Sequence, residues 1–148
     1  MEGCFLSNEL LDAFPVHQVR VDHGNLKEVY VAQENGQLKE QTGELSDMRI
    51  ASYFQSMDIT LQEGQKAEVN LNALDWMEKV ARCLKRGFVL TIDYGYLAKE
   101  LYASYRKEGT LLCYTQHRTS DNPYGRIGEQ DITSHVNFTS LILKGEEV

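Results

Sequence analysis

Positively charged residues are scarce in this sequence of 148 residues, which has 15 lysines and arginines against 22 acidic residues. The net charge of −7 argues against a general nucleic-acid-binding protein, because contact with phosphates needs a basic surface. No apolar run approaches the length of about 18 residues that a membrane-spanning helix requires. The four histidines have no spacing typical of metal ligands, so no metal site is predicted.

Cysteine is also scarce. The three cysteines, Cys4, Cys83 and Cys113, are odd in number, far apart and surrounded by apolar neighbours in the sequence. This pattern favours reduced core residues over a disulfide or a metal site. Reduced cysteines are typical of a cytoplasmic protein.

The most informative segment is residues 4–15, which reads Cys-Phe-Leu-Ser-Asn-Glu-Leu-Leu-Asp-Ala-Phe-Pro. Its apolar run predicts a strand buried on both faces, and the apolar spacing at 10–14 predicts a helix that Pro15 ends. Open α/β sheets bind ligands beyond the carboxyl ends of their strands. Three polar residues are expected at such an end: Asn8, Glu9 and Asp12.

A second segment repeats this arrangement. A helix predicted from residue 70 or 72 to 86 ends at Gly87, and the apolar run 88–92 follows directly as a buried strand. Asp93 and Tyr94 come at the end of that strand. Both apolar runs fit parallel strands of one sheet, so the acidic residues at their ends are expected to share one site.

Between these segments lies an antiparallel insertion. Alternating patterns predict strands at 16–21, 26–33 and 38–42, and Asn35-Gly36 favours a type I′ hairpin turn. A helix is predicted at 46–57 and an extended segment at 66–70.

The last part of the chain has a helical segment at 98–105, a strand at 111–116 and a long polar loop at 117–128. Asn137 is a good N-cap for a closing helix. His117, Arg118 and His135 flank the loop, and a single histidine is more often a hydrogen-bonded surface or capping residue than a catalyst.

Three segments together closely resemble the MidA-like family of S-adenosylmethionine-dependent methyltransferases: 7–15, 87–95 and 130–139. That family includes a mitochondrial complex I assembly factor that methylates arginine. The resemblance implies a partial Rossmann-like α/β fold, in which the two apolar runs are the fourth and fifth strands of a seven-stranded sheet. It also implies S-adenosylmethionine as the cofactor and places Asn8-Glu9 at the methyl-transfer centre.

The sequence departs from the family pattern in one respect. It has no Gly-x-Gly, which the glycine-rich cofactor loop would supply, and no acidic residue in place to hold the cofactor ribose. We therefore expect residues 1–148 to be one domain that resembles the C-terminal half of the enzyme, without the last strand and inactive by itself. Ordinary ragged termini are the alternative reading of both ends.

Arginine is a difficult nucleophile, because its guanidinium group stays protonated at neutral pH. A carboxylate can hold it with two hydrogen bonds and direct one nitrogen towards the methyl group. Glu9 is the candidate for that role, with Asn8 orienting substrate or cofactor; the alternative for Glu9 is a favourable interaction with a helix dipole. Candidate substrate contacts are Asp12, Asp93, Tyr94, His117 and Arg118.

The resemblance implies a protein substrate as the partner, for example a subunit of a respiratory complex, and the mitochondrial matrix as the alternative to a cytoplasmic location if the protein is eukaryotic. The alternative function is a non-catalytic interaction module that pairs through exposed strand edges, since unpaired strands recruit partners, including second copies of the chain.

Overall fold

The computed structural model describes residues 1–115 and 118–148 of the chain. Strands and helices alternate along it in the following order: β1 (Glu2–Asn8), β2 (His17–Asp22), β3 (Asn25–Glu34), β4 (Gln37–Gly43), α1 (Arg49–Gln55), β5 (Lys66–Val69), α2 (Leu71–Cys83), β6 (Arg86–Ile92), β7 (Gly95–Tyr96), α3 (Ala98–Leu101), β8 (Leu112–Thr115), β9 (Arg118–Ser120), β10 (Asp131–Thr133), β11 (Val136–Asn137) and α4 (Phe138–Glu147). The α/β class predicted from the sequence is confirmed. None of the helices in these two ranges is long and apolar enough to cross a membrane.

The two apolar runs form β1 and β6, which pair in parallel from Glu2 opposite Arg86 to Asn8 opposite Ile92. Their parallel pairing confirms the prediction. The expectation that both faces are buried is wrong, since Leu6 is 68% exposed and Phe88 is 77% exposed. Within the described residues these two strands pair only with each other, and most of their side chains are exposed or half-buried.

Glycine allows β1 and β6 to approach closely. Gly87 does not end helix α2, which stops at Cys83; it lies inside β6 and pairs with Gly3. A Cβ atom at Gly87 would lie 1.7 Å from the carbonyl oxygen of Gly3, and the φ angle of Gly87 is +145°. Both facts exclude a side chain at this position without a backbone shift.

The insertion is a four-stranded antiparallel sheet with the order β4-β3-β2-β5. Asn35 and Gly36 both have positive φ angles, 52° and 78°, as a type I′ turn requires. The sequence predicts three of these strands as one unit, and β5 adds a fourth by pairing with β2.

Two hydrophobic clusters hold the elements together. The larger one joins the antiparallel sheet to α1 and α3, and its centre includes Val19, Ile50 and Val69. The smaller one consists of Leu11, Ala73, Val136 and Leu141 and packs the segment after β1 against α2 and α4. This second cluster fixes the position of the chain where β1 ends.

Some predicted elements are shorter than expected, and two cysteines differ from the prediction. Helix α1 covers only part of the predicted 46–57, and α3 only part of 98–105. Cys113 is buried and all three cysteines are free, as expected, whereas Cys4 and Cys83 are exposed. Their exposure follows from the uncovered faces of β1 and β6 and from the exposed end of α2.

The exposed face of β1 and β6 predicts self-association of the chain in solution. Phe88→Ser should weaken this association, because it removes a large apolar side chain that water already reaches and so costs little folding energy. Sedimentation velocity of the 148-residue chain over a range of concentrations measures the effect. Tyr105→Ser is the matched control, since Tyr105 is 68% exposed and lies outside β1 and β6. An original chain that stays monomeric at all concentrations would contradict the prediction.

Candidate functional site

The segment after β1 turns at the carboxyl end of β6. The Glu9 amide donates to the carbonyl oxygen of Ile92 at 2.8 Å, which extends the strand pairing by one bond. The amides of Leu10 and Leu11 then donate to one oxygen of Asp93, Oδ2, at 3.2 and 2.9 Å. Asp93 therefore holds the backbone of the neighbouring segment in place.

These bonds replace the helix that the sequence predicts at 10–14. The structure has a turn there, with Glu9 at a φ angle of +46° and one bond from the Phe14 amide to the Leu11 carbonyl. A helix this short gains little by itself, because nucleation is unfavourable. The Asp93 carboxylate fixes the first two amides of the segment, which a helix would leave free as well, and Pro15 prevents further extension.

Two other segments fix the turn from the opposite side. The Asn70 amide group, at the start of α2, donates to the carbonyl oxygen of Leu11 at 2.9 Å. The Ser134 amide donates to the carbonyl oxygen of Asp12 at 3.0 Å, and the Val136 amide donates to that of Tyr94 at 2.8 Å. The sequence gives no pairing signal for these contacts, because they join segments more than 40 residues apart.

Three acidic residues are brought together as the sequence predicts. Glu9 is exposed, Asp93 is half-buried and Asp12 is buried. Burial raises the pKa of the Asp12 carboxyl, and the nearby charges of Asp93 and Glu9 raise it further. We call these three residues the strand-end acids. Asn8 and Tyr94 flank them and are exposed, so both side chains are accessible to a ligand.

Asp93 uses much of its hydrogen-bonding capacity inside the protein. Besides the two bonds from the turn, its Oδ1 accepts from the Tyr94 amide at 2.9 Å. Its evident role is to order the turn, and contact with a substrate stays a prediction.

Arg118 is not brought to the strand-end acids. It lies in β9 and lines a cavity of about 340 Å³ together with Asn122, Arg126 and Gln130. None of Asn8, Glu9, Asp12, Asp93 and Tyr94 lines that cavity. His117, the other candidate from the polar loop, lies outside the described residues.

His135 lies next to the site, between Ser134 and Val136, whose amides contact the strand-end segments. Its ring packs edge-on against Tyr96 with 5.3 Å between ring centroids. It also lines a cavity of about 380 Å³, which we call the His135 cavity. Within the described ranges no group of three or more His, Cys, Asp or Glu side chains could hold a metal ion.

Comparison with protein families gives one match that covers residues 1–148. The family is described as "Putative S-adenosyl-L-methionine-dependent methyltransferase". Comparison with curated proteins gives no match.

Two solved structures of COG1565 superfamily proteins from Burkholderia thailandensis are similar to the chain. The first has S-adenosyl-homocysteine bound; it has 31% sequence identity and a TM-score of 0.90, over 99% of this chain and 38% of that one. The second, a native crystal structure, has 31% identity and a TM-score of 0.91, over 99% of this chain and 39% of that one. The chain thus spans less than two fifths of the length of either structure, and the predicted fold class is confirmed.

The raised pKa of Asp12 predicts how stability depends on pH. The folded state binds this proton more tightly than the unfolded state, so stability should decrease as pH rises from about 4 through the folded-state pKa. Asparagine at position 12 cannot ionise, so the Asp12→Asn variant does not lose stability in this pH range. The variant should be more stable than the original chain at neutral pH and equally stable at low pH, as measured by urea denaturation at several pH values.

Glu28→Gln is a control of opposite sign. Burial alone would raise the pKa of Glu28, but hydrogen bonds from the Ser46 amide and from His17 lower it overall. This variant should therefore lose stability at neutral pH, and the loss should shrink as pH falls. An Asp12→Asn variant that is less stable at neutral pH would show that the carboxylate is stabilised by contacts rather than opposed by its neighbours.

Proposed function

Because the chain belongs to this family of S-adenosyl-L-methionine-dependent methyltransferases, we propose that it forms the methyl-acceptor side of an enzyme that methylates arginine side chains of proteins. The observation that carries the proposal is the position of Glu9. This carboxylate is exposed at the carboxyl end of a strand whose parallel neighbour places Asp93 beside it. Ligands of open α/β sheets bind at this edge.

The strand end offers suitable chemistry for both reactants. The exposed Asn8 amide has a donor and an acceptor, which fits hydrogen bonding to the polar part of the cofactor or to the substrate. S-adenosylmethionine, when bound, supplies a methyl group on a sulfonium centre. In the transfer a nitrogen–carbon bond would form, the sulfur–carbon bond would break with its electron pair left on sulfur, and the nitrogen would lose a proton to solvent water, which reaches the exposed Glu9.

Glu9 acts on the substrate in this proposal. Its two carboxylate oxygens hold a guanidinium group, orient one nitrogen and balance the charge that develops on it. The overall charge of −7 favours the approach of a basic protein segment. The resemblance to MidA-like enzymes supports arginine as the acceptor and a respiratory-complex subunit as one possible substrate.

Glu9→Gln tests this role. In a protein that joins this chain to the family's N-terminal region, the variant should lower kcat for methyl transfer to an arginine peptide by roughly 10²-fold or more. Cofactor affinity should stay unchanged, since Glu9 is assigned to the substrate. Glu2→Gln is the matched control, because Glu2 is an exposed acidic residue at the opposite end of β1. Equal activities of the two variants would contradict the role of Glu9.

The missing Gly-x-Gly motif generates a separate prediction for the cofactor. Titration calorimetry of the 148-residue chain with S-adenosylmethionine should give no saturable heat. The glycine-rich loop that would hold the ribose and methionine portions of the cofactor is not in this sequence. Adding the family's N-terminal region in the same chain should restore binding. Micromolar binding to the 148-residue chain would show that residues 1–148 hold the cofactor without that loop.

The exposed apolar face of β1 and β6 favours a second candidate function, a non-catalytic module that pairs with another chain or with a second copy of itself. The two candidates differ in what Glu9 does. Association through this face does not depend on the Glu9 carboxylate, whereas methyl transfer does.

A further inference from the structure

The segment 134–136 is fixed by three consecutive backbone amides, each of which donates to a different part of the chain. The first and the third donate to carbonyl oxygens beside the strand-end acids. The middle amide, that of His135, donates to the Thr110 hydroxyl oxygen at 3.0 Å. Of the three acceptors, only this hydroxyl belongs to a side chain, so a substitution can remove it and leave the backbone as it is.

Thr110 is itself held by one carboxylate. Its amide and its hydroxyl both donate to Oε2 of Glu68, at 2.8 and 3.1 Å. A threonine hydroxyl has one hydrogen to donate and two lone pairs that accept. Because the hydrogen points to Glu68, the lone pairs are available to the His135 amide. The Glu68 carboxylate therefore sets the orientation of the hydroxyl that this amide needs.

Glu68 is a buried acid that the strand-end site does not use directly. It lies in β5, whose four residues are all buried, and its Oε1 accepts from the Gln18 side-chain amide at 3.3 Å. Burial raises the pKa of the Glu68 carboxyl, and the hydrogen bonds from Thr110 and Gln18 oppose that rise. Burying a carboxylate costs more free energy than burying an apolar side chain. What Glu68 contributes is therefore the placement of its hydrogen-bond partners.

The backbone before Thr110 passes directly against the same carboxylate. Gly109 has a φ angle of +76°, and a Cβ atom there would lie 2.2 Å from Oε1 of Glu68. Both conditions favour glycine at this position. The close approach limits the movement of Thr110, which is buried as well.

We propose that Glu68 and Thr110 are positioning residues for the strand-end acids. Glu68 orients Thr110, Thr110 holds the His135 amide, and the segment 134–136 thereby stays against the turn that presents Glu9. Without the hydroxyl, the His135 amide would lose its partner, and an unpaired buried amide is costly enough to loosen the segment. This inference rests on the proposed function and adds to it two residues that do not contact the substrate.

Amide hydrogen exchange of the 148-residue chain, followed by NMR, tests the positioning without cofactor or catalysis. Thr110→Val has nearly the same shape but no hydroxyl, so the amides at 134–136 should exchange about tenfold faster. The Leu10 and Leu11 amides in the turn should also exchange faster. Thr110→Ser keeps the hydroxyl and should restore slow exchange.

Thr42→Val is the matched control for the exchange measurement. Thr42 lies in β4 and is exposed, so the same chemical change there should leave the amides at 134–136 unaffected. In Thr110→Val the amides of β2 and β3 should likewise keep their original rates. An equal rise in exchange at all of these amides would show a general loss of stability and would overturn the proposal.

Kinetics separate positioning from a purely structural role. In the protein that joins this chain to the family's N-terminal region, Thr110→Val should lower kcat for methyl transfer to an arginine peptide about tenfold. The KM for the cofactor should stay unchanged, and Thr110→Ser should retain the original kcat. Glu68→Leu should resemble Thr110→Val, whereas Glu68→Gln keeps an acceptor oxygen for Thr110 and should retain most of the activity. If Glu68→Leu does not fold, the two Thr110 variants decide.

The two measurements together distinguish the outcomes. An unchanged kcat in Thr110→Val, despite faster exchange at 134–136, would leave Thr110 a structural role only and overturn the proposal. A reduced kcat with unchanged exchange there would also overturn it, because the effect would then take another route. If the original joined protein methylates no arginine, the proposed function fails, and the exchange rates of the Leu10 and Leu11 amides alone decide whether Thr110 positions the turn.

Discussion

The bonds from the Leu10 and Leu11 amides to Asp93 Oδ2 determine the shape of the candidate site. A single carboxylate oxygen at the end of β6 accepts both and holds the segment after β1 in its turn. Charge-assisted hydrogen bonds of this kind are among the stronger polar contacts in proteins. They place Glu9 at the edge of the paired strands, with Leu11 buried behind it. The contact of Asp93 with the turn therefore accounts for both the exposure of Glu9 and the burial of Leu11.

This arrangement has an electrostatic cost. Asp12 is buried beside two other acidic residues, and its carboxyl group is harder to ionise than it would be in water. In the proposed function, a basic substrate would relieve that repulsion. Sites of this kind often trade stability for function. The half-buried His135 nearby also tends towards its neutral form, because burial and the Arg106 charge lower its pKa.

The segment 134–136 joins the two parts of the site. Its outer amides bind the carbonyl groups of Asp12 and Tyr94, while the His135 side chain lines the adjacent cavity. The antiparallel insertion contributes Glu40 and Lys66 to the lining of this cavity.

The sequence alone determined the elements that depend on local chemistry. The type I′ turn at Asn35-Gly36, the N-cap residue Asn137 and the polar residues after both apolar runs are all found where expected. Of the two starts that the sequence leaves open for helix α2, residues 70 and 72, the structure has Asn70 as the N-cap. The backbone preferences and hydrogen-bonding groups of neighbouring residues decide these features, so a short window of sequence contains the necessary information.

Only the tertiary structure decided the rest. Residues 10–14 have a helical pattern, but amide bonds to Asp93, which lies over 80 residues away, make them a turn. Gly87 has the signal of a helix end, yet the close approach of Gly3 places it within a strand. The apolar runs predict buried strands, but whether a strand is buried depends on what packs against it. The environment of His135 likewise depends on Tyr96, Arg106 and Thr110, which the fold brings together from separate segments. Long-range contacts override local preference in each case, because a short segment gains too little free energy by itself to fix its own conformation.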